Sequence, residues 1–346
     1  MNPTVRELAF IESLTAGLTR SPRQLNALQE SDAEILRLGP ELLLAITTDT
    51  IAEEIETGLY ADLWLAGWMA VMVNFSDIAA VGAEPQGILI AQTFPTGMRE
   101  ADRARLQAGI QDACTACGSH VLGGDTNQGE HLSVTGTAVG TISGGRPMMR
   151  HGIRPGDLLY CTGPMGGGNA FAAAMLAHLP SPPSFAPTAR LREGMAIRDV
   201  VAACMDSSDG LLTTLDQLGR VNDVGFDLSA SWQRALDPSA LRRAREMDIP
   251  PWVFLAGPHG EFELVFTISK ETAPPEHEEV RVGGVPCVYL GRASRERHVR
   301  LPGMGSFSPD HLAGIRNLDP PDGHGMQRYL KDLLAVGDAA GVSTAS

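Results

Sequence analysis

The sequence predicts a mixed α/β chain folded as two domains, and three observations predict it. Its 346 residues exceed the roughly 100–200 that one hydrophobic core ordinarily serves. Short β-prone apolar runs alternate with stretches of helical periodicity from one end to the other. Near the middle, Arg150–Asp157 (RHGIRPGD) is dense in turn formers and separates two similar α/β halves. The expected organisation is residues 1–150, residues 151–332, and a frayed tail over 333–346.

The elements follow in order. Val5, Leu8, Ile11 and Leu14 recur at helical spacing, so an amphipathic helix opens the chain over Val5–Leu18. Leu42–Thr48 (LLLAITT) is a strand that delivers Asp49 at its end. Asp62–Val81 is a buried helix; its apolar run, Leu63–Val73, meets Asn74 and Asp77 well short of the ~20 residues that span a bilayer. Gly87–Phe94 is a strand, Ala101–Cys117 a helix, and His131–Ile142 an alternating strand. In the second half, Leu158–Thr162, Glu263–Ile268 and Val288–Gly291 are strands. Asn169–Leu179, Leu191–Ala203 and Gly210–Val221 are helices, and Leu179–Pro187 is a proline-rich loop.

A net charge of −14 repels nucleic acid and anionic membranes, which excludes polyanionic partners but not nucleotides bound through divalent metal. The five cysteines are odd in number and lack framework spacing. The single CxxC, Cys114 and Cys117, has no second pair at zinc-site spacing and lies in a helical stretch, so both are ordinary thiols and a reducing cytoplasm fits. Arg6 and Glu7 stand where an export signal needs an apolar core. The expected location is cytoplasmic.

Acidic residues recur where apolar elements meet turns: Asp32 in ESDAEIL, Asp49 in TTDT, Asp77 in NFSDIAA, Asp125 in GGDTN, and Asp206 with Asp209 in MDSSDG. Each alone reads first as a turn or cap residue, and only the set of six points to a site. Brought together, they repel by about 4 kcal/mol per pair at ~4 Å and an effective dielectric of 20. Mg²⁺ relieves that repulsion and bridges carboxylates to phosphate oxygens. The hydroxyls of Thr47, Thr48 and Ser208 are further oxygen ligands for such a site. Phosphoryl transfer rests on this kind of positioning and charge neutralisation. Neither common phosphate loop is present, because MGGG (Met165–Gly168) lacks the lysine ending of a Walker loop and the spacing of a dinucleotide fingerprint. No histidine is expected to act as a base.

Taken in order, ESDAEIL, TTDT, VNFSDIAAVGAEP, GGDTNQG, RHGIRPGDLLYCTG, MDSSDGLL and GEFELVFTI resemble the signature series of thiamine-monophosphate kinases. These belong to the superfamily of aminoimidazole ribonucleotide synthetase, selenophosphate synthetase and a hydrogenase-maturation protein. The resemblance runs from Val5 to Ala293. It implies an N-terminal α/β domain that forms a homodimer interface and a C-terminal α/β domain that closes over ATP. It also implies Mg²⁺ ligands at Asp32, Thr47, Thr48, Asp49, Asp77, Asp125, Asp206 and Asp209, and ATP contacts at Gly124, Asp125, Arg150 and Ser208. No side chain becomes covalently phosphorylated. Asp49, Asp77 and Asp125 hold metals on the β- and γ-phosphates, while Asp206 and Asp209 complete the site from the second domain.

Apart from Ser31 in the metal motif, the departures from the family pattern cluster on the acceptor side. Ser31 replaces the first Asp of the family's GDD. The family's G-x-H-F segment reads EIET here, which puts Glu56 at the His position and Thr57 at the aromatic one. The family's GGEDYEL reads PHGEFEL, so the substrate-contacting Glu becomes Gly260 without a gap or Glu261 with one deletion. No C-terminal aromatic is identified to cover a thiamine ring. The residues leave four readings: a thiamine-monophosphate kinase, the same ATP machinery acting on another small-molecule acceptor, a nucleotide-binding protein without turnover, and a structural or scaffold protein.

Overall fold

Two sheets organise the chain in a computed structural model that describes residues 3–273, 279–320 and 325–342. The first half runs α1 (Arg6–Thr15), β1 (Glu34–Arg37), β2 (Leu42–Thr50), α2 (Ala52–Glu56), α3 (Leu63–Ala80), β3 (Glu84–Pro95), α4 (Glu100–Ala116), β4 (Val121–Gly129) and β5 (Ser133–Ser143). The second half runs β6 (Leu158–Cys161), α5 (Gly167–Leu176), α6 (Leu191–Ile197), β7 (Ala203–Asp206), α7 (Gly210–Asn222), β8 (Gly225–Leu228), α8 (Pro238–Met247), α9 (Val253–Ala256), β9 (Leu264–Ile268), β10 (Glu279–Val282), β11 (Val285–Ser294), β12 (Val299–Leu301), β13 (Gly305–Phe307), α10 (Pro309–Arg316) and α11 (Met326–Ala339).

The first sheet has strand order β1-β2-β5-β3-β4, antiparallel except for the β3/β4 pair that α4 joins. That parallel pair needs its helical crossover to return the chain to the same sheet end. The second sheet has order β13-β12-β8-β11-β6-β9-β7, with β10 paired to β11. The mixed α/β class expected from the sequence is what the chain adopts.

The apolar α3 lies between the two sheets. It packs on β2, β5 and α4 on one side and on α6 and β7 on the other. Met69, Met72 and Phe75 are sealed from solvent. It is long and apolar enough to cross a membrane, but its burial inside the protein accounts for that composition. Its partner α4 approaches closely because both helices carry glycine at the crossing. A Cβ on Gly109 would lie 1.9 Å from the Trp64 carbonyl oxygen, and one on Gly67 would lie 2.1 Å from that of Leu106.

Several expectations need correction. The first helix forms over Arg6–Thr15, but its apolar face does not bury as a whole: Val5 is buried and Leu8 and Ile11 are half-buried beside the site cavity, while Leu14 is 60% and the neighbouring Phe10 63% exposed. The helix is also tethered by polar contacts to the far end of the chain: Arg6 N–H donates to Asn317 Oδ1 (2.8 Å), and Asn317 Nδ2 to the Thr4 carbonyl (2.9 Å). The helix expected to reach Ala203 stops at Ile197, since Ala202 N–H bonds the Thr267 carbonyl and draws the chain into β7. The glycine-rich GGDTNQG is strand β4, a tertiary pairing that overrides poor intrinsic β-propensity. The segment 333–342 is not a frayed tail: α11 extends to Ala339, and Leu333 and Val342 are buried. Residues 343–346 lie outside the described residues. All five cysteines are free and buried.

Gly109→Ala is expected to lower stability by about 1–3 kcal/mol through overpacking, measured by urea denaturation. Gly17→Ala, where an added Cβ meets nothing within 4 Å, should be nearly neutral.

Candidate active site

Both sheets send carboxylates to one place. The segment before β1 supplies Ser31 and Asp32, β2 supplies Thr47 through Asp49, and α3 supplies Ser76 and Asp77. From the other side, β7 ends on Asp206 and α7 starts after Asp209. Asp32, Asp77 and Asp206 each place a carboxylate oxygen within 4.8 Å of the other two. Asp49, Asp209, Arg150 and Ser208 stand around the same cavity, whose volume is about 450 Å³.

Local contacts fix these groups. Asn74, fully buried in α3, accepts from the Asp49 backbone N–H at 3.0 Å and donates to the Ala70 carbonyl at 3.0 Å. The end of β2 is thereby pinned to the helix that carries Asp77. Thr47 Oγ1 donates to Asp77 Oδ2 (2.5 Å), so its hydroxyl supports a carboxylate. Thr48 Oγ1 turns to the Gly136 carbonyl (2.8 Å) on the next strand. Ser76 Oγ donates to Asp206 across the sheet-to-sheet boundary. Arg150 Nη2 donates to Asp32 Oδ1 at 2.8 Å, and Asp32 is 1% exposed there.

Burial first, then the neighbouring charges of Asp49, Asp206 and Asp32, hold the Asp77 carboxyl well above the ordinary range. Asp206 is pushed up to about 7 by burial and Asp32, and Asp209 to about 6 by burial and Glu7. Asp49 opens to the cavity, yet desolvation by the walls raises its carboxyl too, with Asp32 adding to the shift. Ser31 Oγ and Arg150 Nε are buried without a partner at this wall. An all-oxygen donor set of like charges with an orphaned hydroxyl suits a hard divalent cation, which would favour the ionised carboxylates.

A second cavity of about 590 Å³ adjoins the first; Glu7, Glu54, Asp209, Pro258, His259 and Arg316 belong to both walls. It adds Arg6 and Glu53 to a floor that includes Phe10, Ile315 and Leu318. Two expected acceptor contacts are not at either cavity. Glu56 is exposed and lines neither cavity: two residues on from Glu54 along α2, it stands on the opposite side of the helix from that wall residue. Glu261 is buried and turned inward, where it accepts from the Gly166 N–H at the start of α5 (2.6 Å) and from Ser207 Oγ (3.2 Å). The glycine-rich MGGG turn is therefore filled by the chain's own carboxylate. Gly260 does line the first cavity, but a Cβ there would lie 1.4 Å from the Ser207 carbonyl, so no side chain fits in this backbone.

Gly124 and Asp125 are also apart from the cluster within one chain. Asp49, Gly136, Ile90 and Gly124 form one register row across β2, β5, β3 and β4. At about 4.8 Å per strand, β4 stands roughly 14 Å from Asp49. Asp125 is exposed and accepts from Asn127 Nδ2 (2.8 Å). Sequence reasoning missed Glu54, Asn74, Ser76, His259 and Arg316. Asn74 and Ser76 sat inside a quoted motif, whereas Arg316 carried no local signal.

Burial, with Glu263 nearby, raises Glu261 to about 8. Folded protein thus holds this proton more tightly than unfolded chain, so stability is highest below the unfolded value near 4.5 and falls as pH rises towards 8. Glu261→Gln is expected to flatten that fall between pH 5 and 8, read from urea midpoints; an unchanged slope contradicts the assignment.

The family profile described as "AIR synthase related protein, N-terminal domain" matches residues 30–142. The thiamine-monophosphate kinase of Methanospirillum hungatei is 33% identical over 281 residues, covering 79% of this chain and 89% of that protein. That of Salmonella typhimurium is 29% identical, covering 77% and 83%. Among solved structures, the thiamine monophosphate kinase of Aquifex aeolicus superposes with a TM-score of 0.69 at 22% identity, covering 87% of this chain and 98% of that one. The structure titled "AaThiL complexed with AMPPCP and TMP" gives a TM-score of 0.71 at 22% identity, covering 86% and 92%. The Escherichia coli hydrogenase maturation protein HypE shares the fold at a TM-score of 0.63 and 18% identity, covering 86% and 94%. With a third of the aligned residues identical across most of both chains, this chain belongs to the thiamine-monophosphate kinase family.

Proposed function

We propose that the chain transfers the γ-phosphoryl group of ATP to thiamine monophosphate, releasing ADP and thiamine diphosphate. One observation carries this reading: a convergent carboxylate cluster opens directly into a second, ligand-sized cavity. The second cavity offers both signs of charge. Arg6 and Arg316 suit a phosphate, Glu53 and Glu54 suit a cationic ring, and Phe10 with Leu318 supplies apolar surface. A thiamine phosphate has all three features.

Asp32, Asp77 and Asp206, with Asp49 and Asp209 beside them, are the residues that would hold Mg²⁺, which when bound neutralises phosphate charge. The chain's own contribution is positional. Asn74 and Thr47 fix Asp49 and Asp77, Ser76 fixes Asp206, and Arg150 holds Asp32. Ser208 lines the nucleotide cavity. No side chain in the cavity serves as a covalent phosphoryl carrier. Residues 1–150 and 151–332 are read as the two domains whose closure assembles the site.

We also infer a cytoplasmic homodimer. β4 is a nearly fully exposed edge strand, and Leu122 (57%), Val121 (44%) and Leu89 (43%) add apolar surface beside it. An unpaired edge of this kind is a pairing surface. Pairing of two such edges would make Gly124 and Asp125 available to the partner subunit's site, a role they lack within one chain. A second reading, the same ATP machinery acting on another acceptor, draws on Gly260, where the wall can carry no acidic contact.

In a ³¹P NMR time course with Mg-ATP and thiamine monophosphate, thiamine diphosphate should form in step with ADP; ADP without thiamine diphosphate would select the second reading. Asp77→Asn and Asp206→Asn should each lower kcat by roughly a hundredfold or more. A mixed dimer of Asp125→Asn and Asp206→Asn chains should regain activity above either parent, and no regain would place Asp125 outside a shared site.

A further inference from the structure

We propose that Arg316 is a catalytic residue that grips the phosphate of the acceptor and holds it against the metal-bound nucleotide; this rests on the phosphotransferase reading above. Arg316 ends α10 and is only 6% exposed. Its Nη1 donates to Asp216 Oδ2 (3.0 Å) and to Gln217 Oε1 (3.1 Å) on α7. Asp216 is 0% exposed, and Arg220 Nε also donates to Asp216 Oδ2, at 2.6 Å. One edge of the Arg316 guanidinium is thus locked by a buried carboxylate and an amide.

The remaining edge faces the ligand side. Arg316 belongs to the walls of both cavities. Its Nη2 has only a loose contact, 3.8 Å, with Glu7, whose side chain is 61% exposed. The first cavity has one other arginine, Arg150, already committed to Asp32. Asp209 stands close enough to be influenced by both arginines. A rigid fork with one free edge, fixed before any ligand arrives, is the geometry that recognises a planar pair of phosphate oxygens. Preorganisation also avoids reorganising the site as charge develops during transfer. The nucleotide's phosphates are served by the carboxylate cluster, so the free edge at the junction of the cavities falls to the acceptor's phosphate monoester.

Gln217 extends the anchor. It donates to Gln29 Oε1 (3.3 Å), which also accepts from Arg150 Nη1 (3.3 Å). Arg316 and Arg150 are thereby set in one polar chain that crosses from α7 to the segment before β1.

The test is calorimetric titration of protein saturated with Mg-AMPPCP, using thiamine monophosphate, thiamine and inorganic phosphate as probes. Arg316→Lys keeps the charge and leaves Arg220 on Asp216, so the fold is expected to persist, with thermal denaturation as the control. It should weaken thiamine monophosphate and inorganic phosphate roughly ten- to a hundredfold, the range for hydrogen bonds to charged groups, and leave thiamine binding unchanged. Glu7→Gln, on exposed α1, should tighten thiamine monophosphate a few-fold by removing the competing carboxylate. Equal weakening of thiamine and thiamine monophosphate by Arg316→Lys, or weakening of neither, overturns the proposal. So does wild-type protein that binds neither phosphate probe. Arg316-dependent binding of inorganic phosphate with no binding of thiamine monophosphate upholds Arg316 and overturns the thiamine reading.

Discussion

Three carboxylates whose oxygens lie within 4.8 Å of one another must be held there against their own repulsion, and much of the architecture is arranged around that demand. At an effective dielectric of 20, each ionised pair near 4 Å costs about 4 kcal/mol. Burial first, and then the neighbouring carboxylates, push Asp77 and Asp206 above the usual carboxylate range, which favours their neutral forms. Part of the cost is met by donors: Thr47 to Asp77, Ser76 to Asp206, Arg150 to Asp32. In the proposed function, a divalent cation would offset the remainder. These groups come from both sheets, so a cation bound there also ties the two halves of the chain together.

The helix α3 is the mechanical centre of this arrangement. It is buried along nearly its whole length, and consecutive residues at its end serve different halves of the site: Ser76 reaches the second sheet and Asp77 faces the first. Its burial explains the apolar composition, and Asn74 shows how one polar residue in such a helix becomes a clamp for β2. The second cavity is built differently. Its walls come from α1, α2, the segment before β9 and the end of α10, elements far apart in sequence.

That difference explains what could be read from the sequence. The carboxylate cluster lies on short motifs in which carboxylate and supporting residue are neighbours, so Asp32, Asp49, Asp77, Asp206 and Asp209 were legible as a set. The wall expected to meet an acceptor depends on facing. Glu56 and Glu54 are two residues apart on one helix, and only the helical turn decides which meets the cavity. Glu261 and Gly260 are adjacent, and the backbone turns one inward and the other to the cavity. Strand β4 was hidden because glycine, Asp and Asn disfavour strands in isolation. The helices α10 and α11 carried Arg316 and Leu333 without a motif to announce them.

The central claim is that residues from both halves of the chain form one metal-nucleotide site. Crystals grown with Mn²⁺ and AMPPCP test it most directly, through the anomalous signal of the bound ion. The account predicts an anomalous peak within coordination distance of Asp32, Asp77 and Asp206 together, in contact with the nucleotide phosphates. Nucleotide bound with its manganese elsewhere, and the three carboxylates left without an ion, would contradict it.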